Sequence, residues 1–438
     1  MEEIKKITGE IEIPQLLAED IKREVKSIAD FKGKIEKNLT KKMTDLVQII
    51  LTGAFYLEGS DIHIEPEEEK AKIRLRIDGV LQDVLYLDLK IYKTLVARVK
   101  LLSGLKLNVT GRPQDGRFSI LLEETSIEIR TSAIPAEYGE SIVMRILNPK
   151  WVVTMADLGL REDLMETFKK EIEKPNGMII CTGPTGSGKT TTLYAFLKEI
   201  ASPEIKIITV EDPIEYHLKG VSQTQVDKAK GYDFANGLRA IVRQDPDVIL
   251  VGEIRDLETA QIALQAALTG HLVLSTVHTN DAAGTIARLQ ALGEKLANIS
   301  PAINMAIAQR LVRKVCKKCV EESQATPEEL EKIKKALKNL PKKIKIPELT
   351  PGIKIPKIKG CKYCNNTGYK ERVGIFEAFL IDDEMEKFIL KEPSIAEMRE
   401  HAIEKGMVLM HQDGFIKVLH GVTTIEEVER VTGHTESE

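Results

Sequence analysis

Residues 183–190 read Gly183-Pro184-Thr185-Gly186-Ser187-Gly188-Lys189-Thr190, which puts glycines, hydroxyls and a lysine at the spacing that encloses a polyphosphate. Glycines let consecutive backbone N–H groups curl inward onto anionic oxygens. An apolar run, Met178–Ile180, leads in, and a helix-forming segment from Thr191 to Ile200 leads out. That helix presents its positive N-terminus to the same anion. In this arrangement Lys189 reaches the β and γ phosphates of a nucleotide, and Thr190 offers a hydroxyl to Mg2+. Gly183 through Thr191 is therefore the candidate ATP-binding loop.

Acids follow two later apolar runs. Glu211 and Asp212 come after Ile205–Val210, and Glu253 comes after Ile249–Val251. In an open α/β sheet the ligand lies at the carboxyl ends of the strands, so these acids should converge on the phosphate loop. Gly252 stands where an Asp usually holds the metal, which leaves Glu211 and Asp212 to serve Mg2+ and its waters. Glu253 keeps the position of a general base for the attacking water. His278, just past Leu272–Val277, is placed to sense or stabilise the γ phosphate, and His271 precedes the same run.

A third constellation is Cys316/Cys319 with Cys361/Cys364. Two C-x-x-C pairs signal a tetrahedral zinc site, and four thiolates leave no open position for catalysis. The fifth cysteine, Cys181, lies on the run entering the phosphate loop and reads as a small buried apolar residue.

The remaining chain must position these groups. At 438 residues it has room for two or three domains. Its 63 basic and 67 acidic residues give a net charge of −4, so bulk charge does not advertise a nucleic-acid binder. The charged N-terminus has no apolar core of a signal peptide, and the longest uncharged window, Thr259–Asn280, is broken by Gln261, Gln265, His271 and His278. The expectation is a cytoplasmic protein whose membrane role is peripheral.

Residues 1–40 read as a short helical or extended docking segment, partly mobile. Residues 41–149 alternate apolar and charged positions around helices at Thr44–Leu57 and Lys90–Leu102, as an α+β domain with one solvated sheet face. That face carries Arg112, Arg117, Arg130 and Arg145. A Pro and the only Trp mark a boundary at 148–158. Residues 150–313 alternate buried-type strands (Met178–Cys181, Ile205–Val210, Val248–Val251, Leu272–Val277) with helices expected at 190–200, 235–243, 256–269 and 301–313. Residues 314–372 form the tetracysteine module, with a Lys-rich exposed excursion at 321–359. Residues 373–438 read as helical, including a capping box of Ser394 and Glu397.

Together these residues resemble the secretion traffic ATPases of type II secretion and type IV pilus assembly. The resemblance runs from about Thr44 to Gly433 on the boxes GPTGSGKTTTLY, ITVEDPIEY, DPDVILVGEIRDLETA and TGHLVLSTVHTND. SDIHIEP, PQDGR and the tetracysteine add to it. It implies an α/β RecA-like P-loop ATPase core with an N-terminal α+β domain, a tetracysteine zinc module and a helical C-terminal region. It implies a homo-hexameric ATP hydrolase that uses ATP, Mg2+ and Zn2+. By position, Arg117 in PQDGR and Arg130 in EIRTS become the arginines that the α+β domain lends to the nucleotide, beside the catalytic set Lys189, Glu211, Glu253 and His278. The implied partners are an inner-membrane platform protein and an associated membrane docking protein at the inner face of the cytoplasmic membrane, with no nucleic acid. The tetracysteine points to the assembly and secretion branch. Family members often begin with a further docking domain, whereas about 40 residues precede the match here. The alternative reading is a nucleic-acid-translocating P-loop ATPase whose zinc module grips DNA.

Overall fold

The computed structural model describes residues 9–148 and 153–433, and the expected boundary at 148–158 lies partly outside them. The chain divides into two compact units.

The first unit contains residues up to 151 together with Cys316–Cys319 and Lys359–Lys370. Its elements run β1 (Glu10–Glu12), α1 (Gln15–Glu24), α2 (Ile28–Glu36), α3 (Met43–Tyr56), β2 (Gly59–Pro66), β3 (Lys70–Ile77), β4 (Val80–Asp88), α4 (Leu89–Leu102), β5 (Gln114–Leu122), β6 (Thr125–Ala136) and β7 (Gly139–Leu147). The strands form one sheet in the order β1-β5-β6-β7-β2-β3-β4. Alternation puts Ile73, Leu75 and Ile77 in the core and Lys72, Arg74 and Arg76 on the other face. Residues 10–36 pack into this unit. β1 pairs in parallel with β5, and Ile21, Phe31 and Ile35 are buried. Gly53 of α3 makes room for the Phe31 ring, which would lie 2.3 Å from an added Cβ.

The second unit spans 152–315, 320–358 and 371–438. It begins α5 (Glu162–Ile172), β8 (Gly177–Thr182), α6 (Lys189–Ile200), β9 (Ile207–Glu211), β10 (Val221–Gln225), α7 (Phe234–Val242), β11 (Val248–Val251), α8 (Leu257–Leu268) and β12 (Leu272–Val277). It continues with α9 (Gly284–Ala291), α10 (Leu296–Ala302), β13 (Ile303–Val315), β14 (Val320–Gln324), α11 (Pro327–Ala336), β15 (Lys354–Ile358) and β16 (Tyr369–Leu380). Four helices close the described chain: α12 (Asp383–Ile389), α13 (Ile395–Glu404), α14 (Met410–Leu419) and α15 (Ile425–Thr432). The main sheet has the order β10-β9-β11-β12-β8-β13-β16, and its first six strands pair in parallel. Every residue of β8, β9, β11 and β12 is buried, as strands covered on both faces require. Asp256 caps α8 through the Thr259 N–H at 2.8 Å, and Ser394 and Glu397 form the expected box on α13.

Three expectations need correction. Residues 303–315 are a strand, not the continuation of a helix from Pro301. Pro301 falls inside α10, near its end, and the apolar run that follows is buried in the sheet between β8 and β16. The C-terminal region does not become helical until after β16, whose Ile375 and Phe376 are wholly buried. The stretch 321–359 is not simply exposed. β14 pairs with β15, and α11 buries Leu330 and Ile333, the latter in a cluster with Phe415 and Val428.

Candidate active site

The phosphate loop lies between β8 and α6. Gly183, Gly186 and Gly188 all take positive φ, and a Cβ at Gly183 would meet the Gln309 carbonyl at 2.6 Å. Gly188 closes the loop in the left-handed region, and α6 starts at Lys189. The Lys189 ammonium donates to the Gly183 and Pro184 carbonyls at 2.8 and 3.1 Å. Burial pulls its pKa below the ordinary lysine range, Glu253 counteracts this, and Arg310 adds to it. Ser187 Oγ is buried with no hydrogen-bond partner, an orphan donor aimed into the loop. A loop with three glycines at positive φ, a buried cation and an orphan hydroxyl fits a nucleotide's phosphates. Thr185 is exposed on the loop's outer curve, and Thr190 and Thr191 are half-buried in the first turn of α6.

The acids divide into two situations. Glu211, at the end of β9, is buried and accepts from Thr209 Oγ1 at 2.6 Å, from Gln223 Nε2 at 3.2 Å and from Tyr194 Oη. Burial raises its pKa, and those three donors oppose the rise. Asp212, the next residue, is exposed and acts on Arg255 electrostatically. Thr190 and Asp212 each carry an oxygen of the kind that a hard cation takes. Glu253 follows β11 and pairs with Arg255 and with His278 Nε2, the latter at 3.4 Å. His278 is itself half exposed. His271 lies at the opposite end of β12, where its Nδ1 bonds the Ala266 carbonyl at 3.0 Å, so it is a packing residue.

The second unit thus gathers Gly183–Thr191, Asp212, Glu253 and His278 at the carboxyl ends of β8, β9, β11 and β12. Arg117 and Arg130 belong to the first unit. They are cross-strand partners on β5 and β6, and Arg145 on β7 pairs in register with Arg130. Arg145 Nε reaches the buried Asp61 at 2.9 Å, Arg130 Nε reaches Glu128 at 3.3 Å, and Arg117 is exposed.

The four cysteines also gather in the first unit. Their sulfur atoms lie within 4.8 Å of one another, with Cys316–Cys361 at 3.9 Å, Cys361–Cys364 at 3.8 Å and Cys319–Cys364 at 3.7 Å. Tetrahedral zinc at about 2.3 Å from each sulfur would separate the sulfurs by roughly 3.8 Å, so the donor set fits. The N–H groups of Cys361 and Gly368 both point at Cys364 Sγ at 3.2 Å. Around the knuckle, Asn365 Oδ1 accepts the Ile28 N–H at 2.8 Å, and Lys362 pairs with Asp30 at 2.9 Å. Cys181 is fully buried, which pushes its thiol pKa up to about 12, as expected of a packing residue.

Motif reading missed Tyr194, Gln223 and Gln309. Each acts through tertiary contact: Tyr194 and Gln223 on Glu211, and Gln309 on Thr192 at 2.8 Å and Cys181 at 3.6 Å. A tyrosine four residues after the Thr190 hydroxyl, on a buried helix, was the only local signal.

The parallel sheet, its phosphate loop and the acids at its rim define a P-loop nucleotide-binding fold. Residues 36–430 match the family described as Type II/IV secretion system protein, and the chain belongs to that family. It is 44% identical over 394 residues to a type II secretion system protein E of Xanthomonas campestris, covering 88% of this chain and 67% of that one. It is 40% identical over 426 residues to the type IV pilus assembly ATPase PilB of Thermus thermophilus, covering 97% of this chain. The chain spans only 46% of that relative's length. Among solved structures, the pilus retraction motor PilT with bound ADP aligns with a TM-score of 0.57 at 26% identity, covering 87% of this chain and 95% of that one. The Legionella pneumophila ATPase DotB aligns at 0.64 and 22% identity, covering 89% and 96%, a likeness of fold. Among the described residues no helix is long and apolar enough to cross a membrane.

Proposed function

We propose that this chain is an ATP-hydrolysing motor subunit that drives assembly of pilin or pseudopilin filaments, for type IV pilus biogenesis or type II secretion. The observation that carries hydrolysis is the phosphate loop after β8, with Lys189 buried in it, together with Glu253 after β11 at the same rim of the sheet. The names of the relatives carry the mechanical role.

In this reading the loop amides, Ser187 and Lys189 hold the phosphates. Thr190 and Asp212 would hold Mg2+ and its waters, and Glu211 fixes the end of β9 next to Asp212. Held there, Mg2+ would supply neutralisation of charge on the phosphates. Glu253 takes the proton of the attacking water, and His278 tunes Glu253 through their contact. Arg117 and Arg130 are the arginines that stabilise transferring charge. Zinc on Cys316, Cys319, Cys361 and Cys364 is structural. The subunits form a homo-hexamer, peripheral to the cytoplasmic membrane through a platform protein and a docking protein. Nucleic-acid translocation is not favoured, because net charge is −4 and the relatives are named for secretion and pilus assembly.

The test is Glu253→Gln. It should bind ATP with near wild-type affinity and hydrolyse it at least ~100-fold more slowly. Near-normal turnover would remove Glu253 from the base position.

A further inference from the structure

β13 delivers an arginine to the phosphate loop that the motif boxes do not contain. In the parallel register Ala308 stands beside Thr182, so Gln309 and Arg310 lie level with Gly183 and Pro184. Gln309 is 1% exposed, and its side-chain oxygen is held by Thr192 and Cys181. Its backbone carbonyl faces Gly183 closely enough that only glycine fits there.

Arg310 comes next. One terminal nitrogen donates to the Gln309 carbonyl at 3.0 Å and the other to the Asn280 carbonyl at 2.8 Å. The first of these nitrogens would stand 3.2 Å from a Cβ on Gly183. Burial lowers the guanidinium's pKa, and the carboxylates of Glu377 and Asp281 act on it only from a distance. Both are committed elsewhere. Glu377 accepts the N–H groups of Ala282 and Met410, while Asp281 accepts from Arg399 and from the Gly284 N–H. Among the described residues Arg310 therefore has no ion-pair partner. Two of its five N–H groups are used by carbonyls, and the others have no acceptor among the described residues.

A half-buried guanidinium is costly without an anion. Here it stands beside a second cation, Lys189, which it repels. Two cations at one loop, one on the loop and one on β13, each bonded to carbonyls and neither in a salt bridge among the described residues, describe a site completed by a polyanion. Its bond to the Asn280 carbonyl also ties it to the loop that carries His278, two residues earlier.

We propose that Arg310 is a second phosphate-binding cation of the nucleotide site, contributed by the same subunit as the phosphate loop, and that it links occupancy of that loop to the 278–281 segment. This rests on the nucleotide reading of the site. The experiment titrates the full chain with fluorescent ATP, ADP and AMP, for wild type, Arg310→Gln, Arg310→Lys and Lys189→Met. Arg310→Gln should weaken ATP and ADP by about 10- to 100-fold, the scale of a lost hydrogen bond to a charged group, and AMP by much less. Arg310→Lys should recover part of the loss. The ligand-free melting temperature should move little, while the rise in melting temperature on adding ATP should shrink. Wild-type ATP affinity in Arg310→Gln overturns the proposal. So does an equal loss for ATP and AMP together with a lowered ligand-free melting temperature, which would make Arg310 only a brace for β13. If wild type binds no nucleotide and Lys189→Met changes nothing, the nucleotide reading itself fails, and the proposal fails with it.

Discussion

Two buried lysines, one in each unit, meet opposite fates. Lys100 of α4 is 1% exposed and Lys189 is 9% exposed. Lys100 is answered by both oxygens of Glu140, at 2.7 and 2.8 Å, and by the Val109 carbonyl at 2.8 Å. Lys189 touches two carbonyls of its own loop. The first is a closed circuit, which fixes α4 against the start of β7 and asks for nothing more. The second is left open. The same division separates the arginines: Arg161 is enclosed by Asp163 and Asp413, whereas Arg310 meets only carbonyls. Burial alone therefore does not mark a functional cation. Burial without a carboxylate leaves a charge that a bound anion would offset.

The comparison can be tested from its largest consequence downward. The tetracysteine cluster is the most open of all, since four thiolates are complete only with a metal. Structural zinc supplies on the order of 10 kcal/mol. Removing it with a strong chelator should sharply lower the melting transition of the first unit. Amide exchange should rise in α2, which holds the knuckle through Ile28 and Asp30. An isolated protein with no bound metal and an unchanged melt would refute the zinc assignment. Next come the lysines as a pair. Lys100→Met strands Glu140 and should cost about 3–5 kcal/mol in chemical denaturation, with nucleotide affinity unchanged. Lys189→Met strands no carboxylate. It should leave ligand-free stability within about 1 kcal/mol while weakening ATP by ~100-fold or more, close to 3 kcal/mol. Equal destabilisation by the two substitutions would erase the distinction.

Much of the site could be read from the sequence because its chemistry is local. The phosphate loop, Glu253 and the cysteine pairs are each set by a few adjacent residues, and the strands before them are buried on both faces. The parts that escaped are those fixed from a distance. Ile303–Val315 is a long, largely apolar run after a Ser-Pro start signal, and apolar runs of that kind do not separate a helix from a central strand. Only the strand register of that segment places Gln309 and Arg310 beside Gly183. Glu211 reads as a metal ligand in sequence, yet its three donors come from α6, β9 and β10. The helix α11 was hidden by its lysines, although Leu330 and Ile333 carry its buried face. No local pattern indicates that the cysteine knuckle packs with α2, more than 280 residues earlier in the chain.

Arg117, Arg130 and Arg145 stand at matched positions on three neighbouring strands. Side chains so placed have Cβ atoms only about 5 Å apart, and like charges at that spacing weaken the pairing. Glu128 and Asp61 relieve two of them, while Arg117 at the end of the row is exposed. Most proteins lose a little surface attraction as ionic strength rises, because the Debye length falls to about 10 Å at 0.1 M salt. On this sheet the screened force is partly a repulsion. The β5–β6 ribbon should therefore be firmer in moderate salt than in dilute buffer, and multivalent anions should firm it at lower concentration than chloride does.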